Sequence, residues 1–346
     1  MQQSTSTRTI AFLGASGGLG LAALRRTLAE GHRCVALCRD PSKFTAIFPE
    51  MDLNVDTQAT QNDAAASTRR LTLVRGNAHD VDAVTRCLLV PGTANGERRI
   101  VDTVVFTIGG KLIMSKMTLD DPNVCANGMS TLLAAIKRLR HEGAANSGPN
   151  TPRIVNVSTT GISKCGRDVP LAFLPMYHGM LRVPHADKRV MEESLVASGE
   201  MFAMVRPSFL VDDAAEAVPG IDTSGGGSSN DNKDSPAFLK QLAETDLTVL
   251  SKEELEDLKE TTKDELKEHK ETAKDKVKAL EGKYKKEHAY KNIRVGIEDP
   301  IANKRISSAV GYTITRADAG RWLAENLVLP TELPATYARK IATITY

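Results

Sequence analysis

Short apolar runs alternate with amphipathic helical patterns along most of the first 213 residues. Six runs bounded by turn-forming or charged residues predict β-strands at residues 9–13, 33–38, 71–75, 101–108, 153–157 and 201–207. Helical patterns begin between these runs, near Gly18, Ser42, Val81, Asn123 and Ala186. This alternation is typical of βα units. It predicts an α/β fold with a doubly wound parallel sheet of the Rossmann type and helices on both faces.

Three stretches interrupt the alternation. Residues 49–70 are polar and rich in Ala and Thr, and residues 91–99 contain two glycines, so both are predicted to be surface insertions. Residues 214–292 form a longer interruption, in which a linker-like segment precedes a densely charged one. Core-like patterns then return, with a helix predicted at 316–329 and a final strand at 340–344. The predicted organisation is a disordered N-terminus at 1–8, one domain formed by 9–213 and 293–346, and an insertion at 214–292.

The insertion contains an 11-residue repeat within residues 251–289. Its apolar stripe consists of Leu255, Leu258, Leu266, Val277 and Leu280. Because 11 residues complete about three helical turns, such positions line up along one face of a long helix. Polar residues interrupt the stripe and leave three interpretations open. They are a solvated helix stabilised by Glu–Lys pairs, a helix that docks on a protein partner, and a helix that lies on a membrane surface.

Composition narrows the class of protein. With 346 residues, of which 41% are hydrophobic, the chain can bury one large core. Its formal charge of +2 is too small to gather nucleic acid, so no nucleic-acid partner is expected. Five cysteines without a CxxC pair indicate neither a disulfide framework nor a metal site. No stretch resembles a signal peptide or a membrane span, so a soluble, cytoplasmic protein is expected.

A glycine-rich loop directly follows the first predicted strand and opens a helix. Its GxxGxxG pattern allows a tight turn, the close approach of a pyrophosphate to bare backbone, and close packing of helix on strand. The helix N-terminus adds unpaired N–H groups that suit phosphate oxygens. The strand–loop–helix context makes this pattern indicative of a dinucleotide site. The predicted cofactor-binding residues here are Gly14, Ser16, Gly17, Gly18, Leu19 and Gly20.

The end of the second predicted strand indicates which dinucleotide binds. A Rossmann unit places there either an acidic residue for the ribose 2′-hydroxyl or a basic residue for a 2′-phosphate. Arg39 suits the phosphate, because its guanidinium is planar and permanently charged. Asp40 competes, but it precedes Pro41 and is expected to start the next helix. The sequence therefore favours NADP(H), with NAD(H) as the alternative.

Several segments together resemble one family. They are residues 14–20, CRDPSKF at 38–44, GNAHD at 76–80, TIGG at 107–110, VS at 157–158, SG at 198–199, VRPS at 205–208 and ITRAD at 314–318. Over residues 9–213 and 293–346 the chain resembles the NmrA-like, atypical short-chain dehydrogenases/reductases. The resemblance implies a Rossmann fold that binds a nicotinamide dinucleotide, with Asn77 beside the adenine and with Thr107 and Gly109 along the cofactor. It also implies that Ser158 is the family's strand-end serine.

The catalytic pair of that family is incomplete in this chain. Short-chain dehydrogenases use Tyr-x-x-x-Lys, in which the lysine lowers the pKa of the tyrosine so that its hydroxyl exchanges a proton with a carbonyl. Lys188 matches the lysine, but Pro184 stands at the tyrosine position. Tyr177, His178 and His185 are candidate proton donors, in or just after a predicted loop at the nicotinamide end. The predicted catalytic residues are Ser158, Lys188 and Tyr177.

Two functions fit these motifs. The first is an NADPH-dependent reductase of a small carbonyl, quinone or flavin-like acceptor, in which Ser158 orients the acceptor and Lys188 reaches the nicotinamide ribose. The second is a non-catalytic NAD(P)-binding redox sensor of the NmrA type, favoured by the missing tyrosine. The alternative roles of the two residues are a turn cap for Ser158 and a helix-surface position for Lys188. A small-molecule substrate is expected in the first case. The sequence specifies neither its identity nor an oligomeric state.

Overall fold

The computed structural model describes residues 7–49, 51, 53–56, 70–92, 98–110, 112–113, 118–146, 148, 151–170, 181–212 and 293–346. The 11-residue repeat, Tyr177 and His178 lie outside these residues. The strands are β1 (Thr9–Leu13), β2 (Arg33–Cys38), β3 (Asn54–Asp56), β4 (Leu71–Arg75), β5 (Leu89–Pro91), β6 (Arg98–Ile100), β7 (Thr103–Phe106), β8 (Leu112–Ile113), β9 (Thr118–Leu119), β10 (Arg153–Val157), β11 (Phe202–Pro207), β12 (Phe209–Val211), β13 (Arg294–Asp299), β14 (Lys304–Arg305), β15 (Thr313–Thr315) and β16 (Ile341–Thr345). The helices are α1 (Gly18–Ala29), α2 (Ser42–Ile47), α3 (Val81–Leu88), α4 (Val124–His141), α5 (Arg182–Ala197) and α6 (Arg316–Leu323), which continues into a π-helical turn at Ala324–Val328.

A ten-stranded sheet, in the order β14-β13-β16-β11-β10-β7-β1-β2-β4-β3, lies at the centre of the described domain. The strands from β3 to β16 are parallel, and β13 and β14 join antiparallel at one edge. From β1 the chain builds one side of the sheet through β2 and β4, and then crosses to β7 on the other side. The order therefore reverses between β1 and β7, where a doubly wound sheet opens a crevice at its carboxyl edge. The predicted doubly wound Rossmann fold is confirmed.

Helices cover both faces of this sheet. One hydrophobic cluster contains side chains of α1 and α6, and the other contains side chains of α3, α4 and α5. Alternate residues of β1 contribute to each cluster, Ile10 and Phe12 to the first and Ala11 and Leu13 to the second. A Cβ on Gly320 of α6 would lie 2.4 Å from the carbonyl oxygen of Leu19. Helix α6 therefore packs directly against the backbone of α1, where the glycine-rich loop ends.

Helix α5 begins earlier than the sequence predicts. The apolar pattern places its start near Ala186, but the helix runs from Arg182 to Ala197. Pro184 lies in the first turn, where a missing N–H is tolerated because first-turn N–H groups have no helical acceptor. Pro184 and Lys188 are consequently one turn apart on the same helix.

Parts of the predicted surface insertions belong to sheets. Within residues 49–70, Asn54–Asp56 pairs parallel with β4 at the sheet edge. Around residues 91–99, β5 and β6 form an antiparallel pair. Three-residue strands carry too little periodicity to distinguish them from loops, so the sequence pattern does not predict them.

Strands from both sides of residues 213–292 join the central sheet, since β11 and β13 are both neighbours of β16. The last strand before this stretch, β12, pairs instead with β15 in a separate two-stranded sheet. At the other end of the described chain, the guanidinium of Arg8, within the predicted disordered N-terminus, donates to the carbonyl oxygens of Val328 and Pro330 at 2.8 and 3.0 Å. The exact domain boundaries stay a prediction. Within the part of the chain that the structure describes, no helix is long and apolar enough to cross a membrane.

Candidate functional site

The glycine-rich loop lies at the switch point of the sheet. It joins the carboxyl end of β1 to α1, beside the end of β7, because Leu13 pairs with Phe106. The N–H of Thr107 donates to the carbonyl oxygen of Leu13 at 2.8 Å. The Thr107 hydroxyl donates to the same end of β1, with its oxygen 3.0 Å from the carbonyl oxygen of Gly14 and 3.2 Å from that of Leu13. Thr107, predicted to line the cofactor, thus turns its hydroxyl towards the loop and fixes it.

Close packing explains two of the loop glycines. A Cβ on Gly14 would lie 2.8 Å from the carbonyl carbon of Thr107, and Gly14 has a left-handed φ of +100°. A Cβ on Gly20 would lie 2.5 Å from the Thr107 hydroxyl oxygen and 2.6 Å from the Gly14 carbonyl oxygen. Such approaches are shorter than non-bonded contacts allow, so strand, loop and helix fit together only with glycine at both positions.

Gly17 has no such structural reason to be glycine. A Cβ there would meet nothing within 4 Å, and its φ of −178° suits any residue. Gly17 is the N-cap of α1, whose first turn has neither a capping side chain nor an acidic residue. Bare backbone at a positive helix end forms a cradle for phosphate oxygens that a side chain would fill. The residues present therefore fit the pyrophosphate of a dinucleotide.

The other predicted loop contacts differ in exposure. Ser16 is exposed and Gly18 is half-buried. The side chain of Leu19 is buried in the core that α1 forms with the sheet. Any contact of Leu19 with a dinucleotide is therefore made through its backbone.

Arg39 lies at the carboxyl end of β2, exposed and without a hydrogen-bond or ion-pair partner among the described residues. Asp40 is engaged, because its Oδ1 accepts the Ser42 hydroxyl at 2.6 Å and the Ser42 N–H at 3.1 Å. These bonds lower the pKa of Asp40, and the charges of Lys43 and Arg75 lower it further. The expected role of Asp40 at the start of α2 agrees with this geometry. Within the described part of the chain, the end of β2 thus presents an unpaired guanidinium, with the cations Lys43 and Arg75 near the adjacent Asp40.

Asn77 and Gly109 are both exposed beyond strands that flank the crevice. Asn77 follows β4, and its side-chain oxygen accepts the N–H of His79 at 3.2 Å. Gly109 follows β7, and a Cβ there would meet nothing within 4 Å. Both are accessible at the carboxyl edge, where the resemblance predicts the adenine beside Asn77 and the cofactor along Gly109.

Two predicted catalytic residues meet at the end of β10. Ser158 follows this strand directly, and its hydroxyl oxygen is buried with no hydrogen-bond partner among the described residues. Lys188 reaches the same edge from α5, where Nζ donates to the carbonyl oxygens of Val157 at 2.8 Å and Ile108 at 3.0 Å. Lys188 therefore joins the ends of β7 and β10 and is not a helix-surface lysine.

Asp187 is a structural residue of this region that the sequence analysis misses. Its buried carboxylate accepts the backbone N–H groups of Cys125 at 2.9 Å and Ala126 at 2.8 Å. These groups belong to the first turn of α4, where a carboxylate is favoured by the helix dipole. Asp187 thereby ties α5 to α4 and fixes the neighbouring Lys188. The sequence offers one signal for this role, namely that Asp187 directly precedes Lys188, the lysine that matches the family.

Cys125 lies at the same edge, but it is not a nucleophile. Burial raises the pKa of its thiol to about 11, so the thiol stays protonated at neutral pH. Its Sγ donates to the carbonyl oxygen of Ile108 at 3.4 Å. Among the described residues, no cluster of His, Cys, Asp and Glu side chains is arranged to hold a metal.

A buried ion network joins α5, β11 and β13. Arg206 donates two hydrogen bonds to Glu192, at 2.9 and 2.6 Å, and one to Glu298 at 2.8 Å. Glu298 also accepts hydrogen bonds from Arg305 and Ser163. Burial alone lowers the pKa of Arg206, but the bonds to Glu192 and the charges of both carboxylates outweigh burial and raise it. The sequence does not predict this network, because Glu192 and Glu298 lie on opposite sides of the insertion and are distant along the chain.

Asp168 lies close enough to this network for its charge to act on Arg206. Its Oδ1 accepts the N–H of Gly161 at 2.9 Å, and its buried Oδ2 has no hydrogen-bond partner among the described residues. Burial raises the pKa of Asp168 despite the opposing effects of the Gly161 N–H and Arg206. The carboxyl group therefore holds a proton more firmly than an exposed aspartate does.

Of the candidate proton donors, His185 is the one that the described residues include, and it is buried on α5. Pro184, one turn before Lys188, occupies the position of the family's tyrosine and has no acid–base group. Tyr177 and His178 lie within 171–180, outside the described residues. Their roles stay predictions.

Two fungal proteins are similar to this chain. It is 33% identical to the reductase pytE of Aspergillus terreus, over 99% of this chain and 100% of that protein. It is 34% identical to the oxidase pynE of Aspergillus niger, over 55% of this chain and 70% of that protein.

The fold is similar to that of a wide-type short-chain dehydrogenase/reductase from Veillonella parvula, solved in complex with NADP. The two share a TM-score of 0.52 and 9% identity, over 98% of this chain and 94% of that chain. Residues 14–235, more than half of the chain, match the family described as NAD(P)H-binding. The chain therefore belongs to the NAD(P)H-binding family of Rossmann-fold proteins.

Proposed function

We propose that the protein is an NADPH-dependent oxidoreductase that reduces a small carbonyl, quinone or flavin-like acceptor. The observation that carries this proposal is the bare backbone of Gly17 at the α1 N-terminus, together with Arg39 at the end of β2, which has no partner among the described residues. The first suits the pyrophosphate common to nicotinamide dinucleotides, and the second suits the 2′-phosphate that only NADP(H) carries. NAD(H) is the alternative cofactor.

Ser158 and Lys188 are proposed to hold the reacting groups. A buried hydroxyl without a partner is unfavourable, so the Ser158 hydroxyl is suited to donate to an acceptor oxygen. Two of the three N–H donors of Lys188 bond to backbone carbonyls, and Nζ also lies 4.0 Å from the weakly accepting sulfur of Met191. A ribose hydroxyl would be a better acceptor for the third donor.

Bound NADPH supplies a hydride, and one proton completes the two-electron reduction of the acceptor. Pro184 contributes no proton, so the donor is either solvent or a residue of another segment. Tyr177, His178 and His185 are the candidate protein donors, and Tyr177 is proposed to assist without being essential to hydride transfer. The similarity to a protein named reductase supports the direction of the reaction, whereas the similarity to one named oxidase requires that both directions be measured.

The proposal is tested by titrating the protein with NADPH and NADH and by following NADPH oxidation with quinones, flavins and aldehydes. The reverse reaction is followed with NADP⁺ and the matching reduced acceptors. We expect tighter binding of NADPH than of NADH, and oxidation by at least one acceptor class. Equal or tighter NADH binding would contradict the choice of cofactor.

A non-catalytic redox sensor is the second candidate function. The observation that favours it is Pro184 at the tyrosine position beside a lysine already bonded to two carbonyls. In that case the protein binds NADPH and NADP⁺ with different affinities, and no acceptor in the panel oxidises bound NADPH. This outcome would replace the reductase proposal.

We also propose a cytoplasmic protein with a small-molecule substrate. All five cysteines are free and four are buried, as expected in a reducing compartment. Membrane or protein contact through residues 251–289 stays a proposal. Replacing residues 223–290 with a short Gly/Ser linker should leave NADPH affinity unchanged, and a loss of folding would show that the insertion packs into the core.

A further inference from the structure

Arg316, the first residue of α6, lies against the glycine-rich loop although it is remote from it in sequence. A Cβ on Gly18 would lie 3.2 Å from Cδ of Arg316 and 3.7 Å from its Nε. Gly18 is the first residue of α1 and directly follows the N-cap Gly17. A permanently charged side chain therefore lies beside the proposed phosphate cradle.

The electrostatic surroundings of Arg316 are unfavourable for a cation. The Cδ and Nε atoms of Arg316 lie beside the N-terminus of α1, and Arg316 itself begins α6. Both helix N-termini carry partial positive charge. The first turn of α1 has no acidic residue. Asp318 lies in the first turn of α6, but its carboxylate accepts the Tyr346 hydroxyl and lies 3.6 Å from Arg321. This point of the molecule is thus suited to a further anion.

Asp212 supplies an anion in the described structure. Its Oδ1 lies 2.6 Å from one terminal nitrogen of Arg316, and its side chain is 54% exposed against 27% for Arg316. An ion pair this exposed to water contributes little to stability. Arginine binds phosphate oxygens with several charge-assisted hydrogen bonds at once, so a phosphate group is the stronger competitor.

We propose that Arg316 binds the pyrophosphate of the dinucleotide and exchanges Asp212 for it when the cofactor enters. The inference rests on the proposed function, since it assigns a residue to the same cofactor site. It adds to the loop backbone a side-chain contact with the pyrophosphate, which NADPH and NADH share. Arg39, in contrast, is proposed to bind the 2′-phosphate that distinguishes them.

The test compares dissociation constants of NADPH and NADH for the wild type, Arg316→Gln and Asp212→Asn. Glutamine keeps a side chain over Gly18 but removes the charge. We expect Arg316→Gln to weaken both cofactors by the same factor, about ten- to a hundredfold. Asp212→Asn removes the same ion pair but frees the guanidinium, so it should bind both cofactors at least as tightly as the wild type.

The paired variants separate binding from structure. If Asp212→Asn weakens binding as much as Arg316→Gln, the ion pair holds the fold and the proposal is overturned. Unchanged affinities in Arg316→Gln overturn it as well. Thermal unfolding without cofactor should show similar midpoints for the two variants. A wild type that binds neither dinucleotide would instead contradict the proposed function itself, whereas wild-type binding with an unaffected Arg316→Gln contradicts this inference alone.

Discussion

The Thr107 hydroxyl donates to the carbonyl oxygen of Gly14 across 3.0 Å, joining the end of β7 to the first glycine of the loop. The same hydroxyl leaves no room for a side chain on Gly20, whose Cβ would lie 2.5 Å from it. The loop is thus shaped by packing before any ligand binds. Gly14 and Gly20 are required by packing, whereas Gly17 faces open space and is proposed to contact the cofactor.

Gly20→Ala should destabilise the protein. The added methyl group would collide with the Thr107 hydroxyl and the Gly14 carbonyl, and such overpacking costs about 1–3 kcal/mol in free energy of unfolding. Chemical denaturation measures this change. Gly17→Ala is the matched control, because its methyl group meets no protein atom, and its free energy of unfolding should stay within about 1 kcal/mol of the wild-type value. Equal stability of Gly20→Ala and Gly17→Ala would contradict the packing argument.

Gly17→Val should abolish NADPH binding and turnover while the fold is retained. The extended φ of −178° suits a β-branched residue, and the side chain would project into the space assigned to the pyrophosphate. Cofactor titration and thermal unfolding are measured on the same preparation. Wild-type affinity in a folded Gly17→Val protein would show that the phosphates bind elsewhere.

Arg39→Ala should weaken NADPH selectively. One lost charge-assisted bond to the 2′-phosphate corresponds to about 1.5–3 kcal/mol of binding free energy, and NADH lacks that phosphate. Titration of both cofactors gives the two dissociation constants. Lys43→Ala is the comparison variant, because it removes a nearby positive charge but keeps the Arg39 guanidinium. It should weaken NADPH binding less than Arg39→Ala does. Equal weakening of NADPH and NADH by Arg39→Ala would exclude its role in cofactor choice.

The sequence predicts the parts of the fold that depend on local patterns. The bounds of β1, β2 and β10 agree with prediction to the residue, because polar or turn-forming residues flank each buried run. The start of α5 does not, since its first turn contains Pro184 and has no apolar periodicity. Helix α6 is also shorter than the predicted 316–329 helix, which passes into a π-helical turn at Ala324.

In the candidate site, too, some residues are predictable from local sequence and others depend on contacts between distant segments. The loop glycines and Arg39 follow strand ends, so their positions can be derived from the sequence alone. The capping of α4 by Asp187 and the pairing of Arg206 with Glu298 depend on contacts between distant segments, which no local pattern encodes. Thr107 is predicted only in part. Its location is predicted, but the direction of its hydroxyl follows from the backbone of the loop.

Asp168→Asn should stabilise the protein at neutral pH. The folded pKa of Asp168 is raised above its ordinary value of 3.8, so its protonated form favours folding, and this contribution is lost as pH rises through the folded pKa. Asparagine keeps an acceptor for the Gly161 N–H and does not ionise. The difference in free energy of unfolding between variant and wild type should therefore be largest near neutral pH and should vanish below about pH 4.

Glu298 titrates in the opposite sense and serves as an internal reference. Burial alone raises its pKa, but hydrogen bonds from Ser163 and Arg305 outweigh burial and lower it, so its contribution to stability is lost as pH falls. The wild type and Asp168→Asn both lose this stabilisation by Glu298 at low pH. The difference between their free energies of unfolding therefore reports the titration of Asp168. Asp168→Ala, which also removes the acceptor for Gly161, should be destabilised by about 1–3 kcal/mol. A less stable Asp168→Asn at neutral pH would show that Asp168 is ionised and attracted to Arg206.

Tyr177→Phe should lower the rate of hydride transfer only modestly, because no residue completes the Tyr-x-x-x-Lys pair and cofactor placement is expected to dominate. An essential general acid typically contributes about 10²- to 10⁴-fold in rate, so its loss would be conspicuous. Single-turnover oxidation of bound NADPH is measured separately from NADPH affinity, since steady-state rates merge the two. Ser158→Ala is the matched hydroxyl deletion at a described position, and it should slow hydride transfer without changing NADPH affinity if Ser158 orients the acceptor. If Tyr177→Phe instead eliminates hydride transfer and leaves NADPH affinity intact, Tyr177 is the proton donor and has replaced the tyrosine that Pro184 displaces.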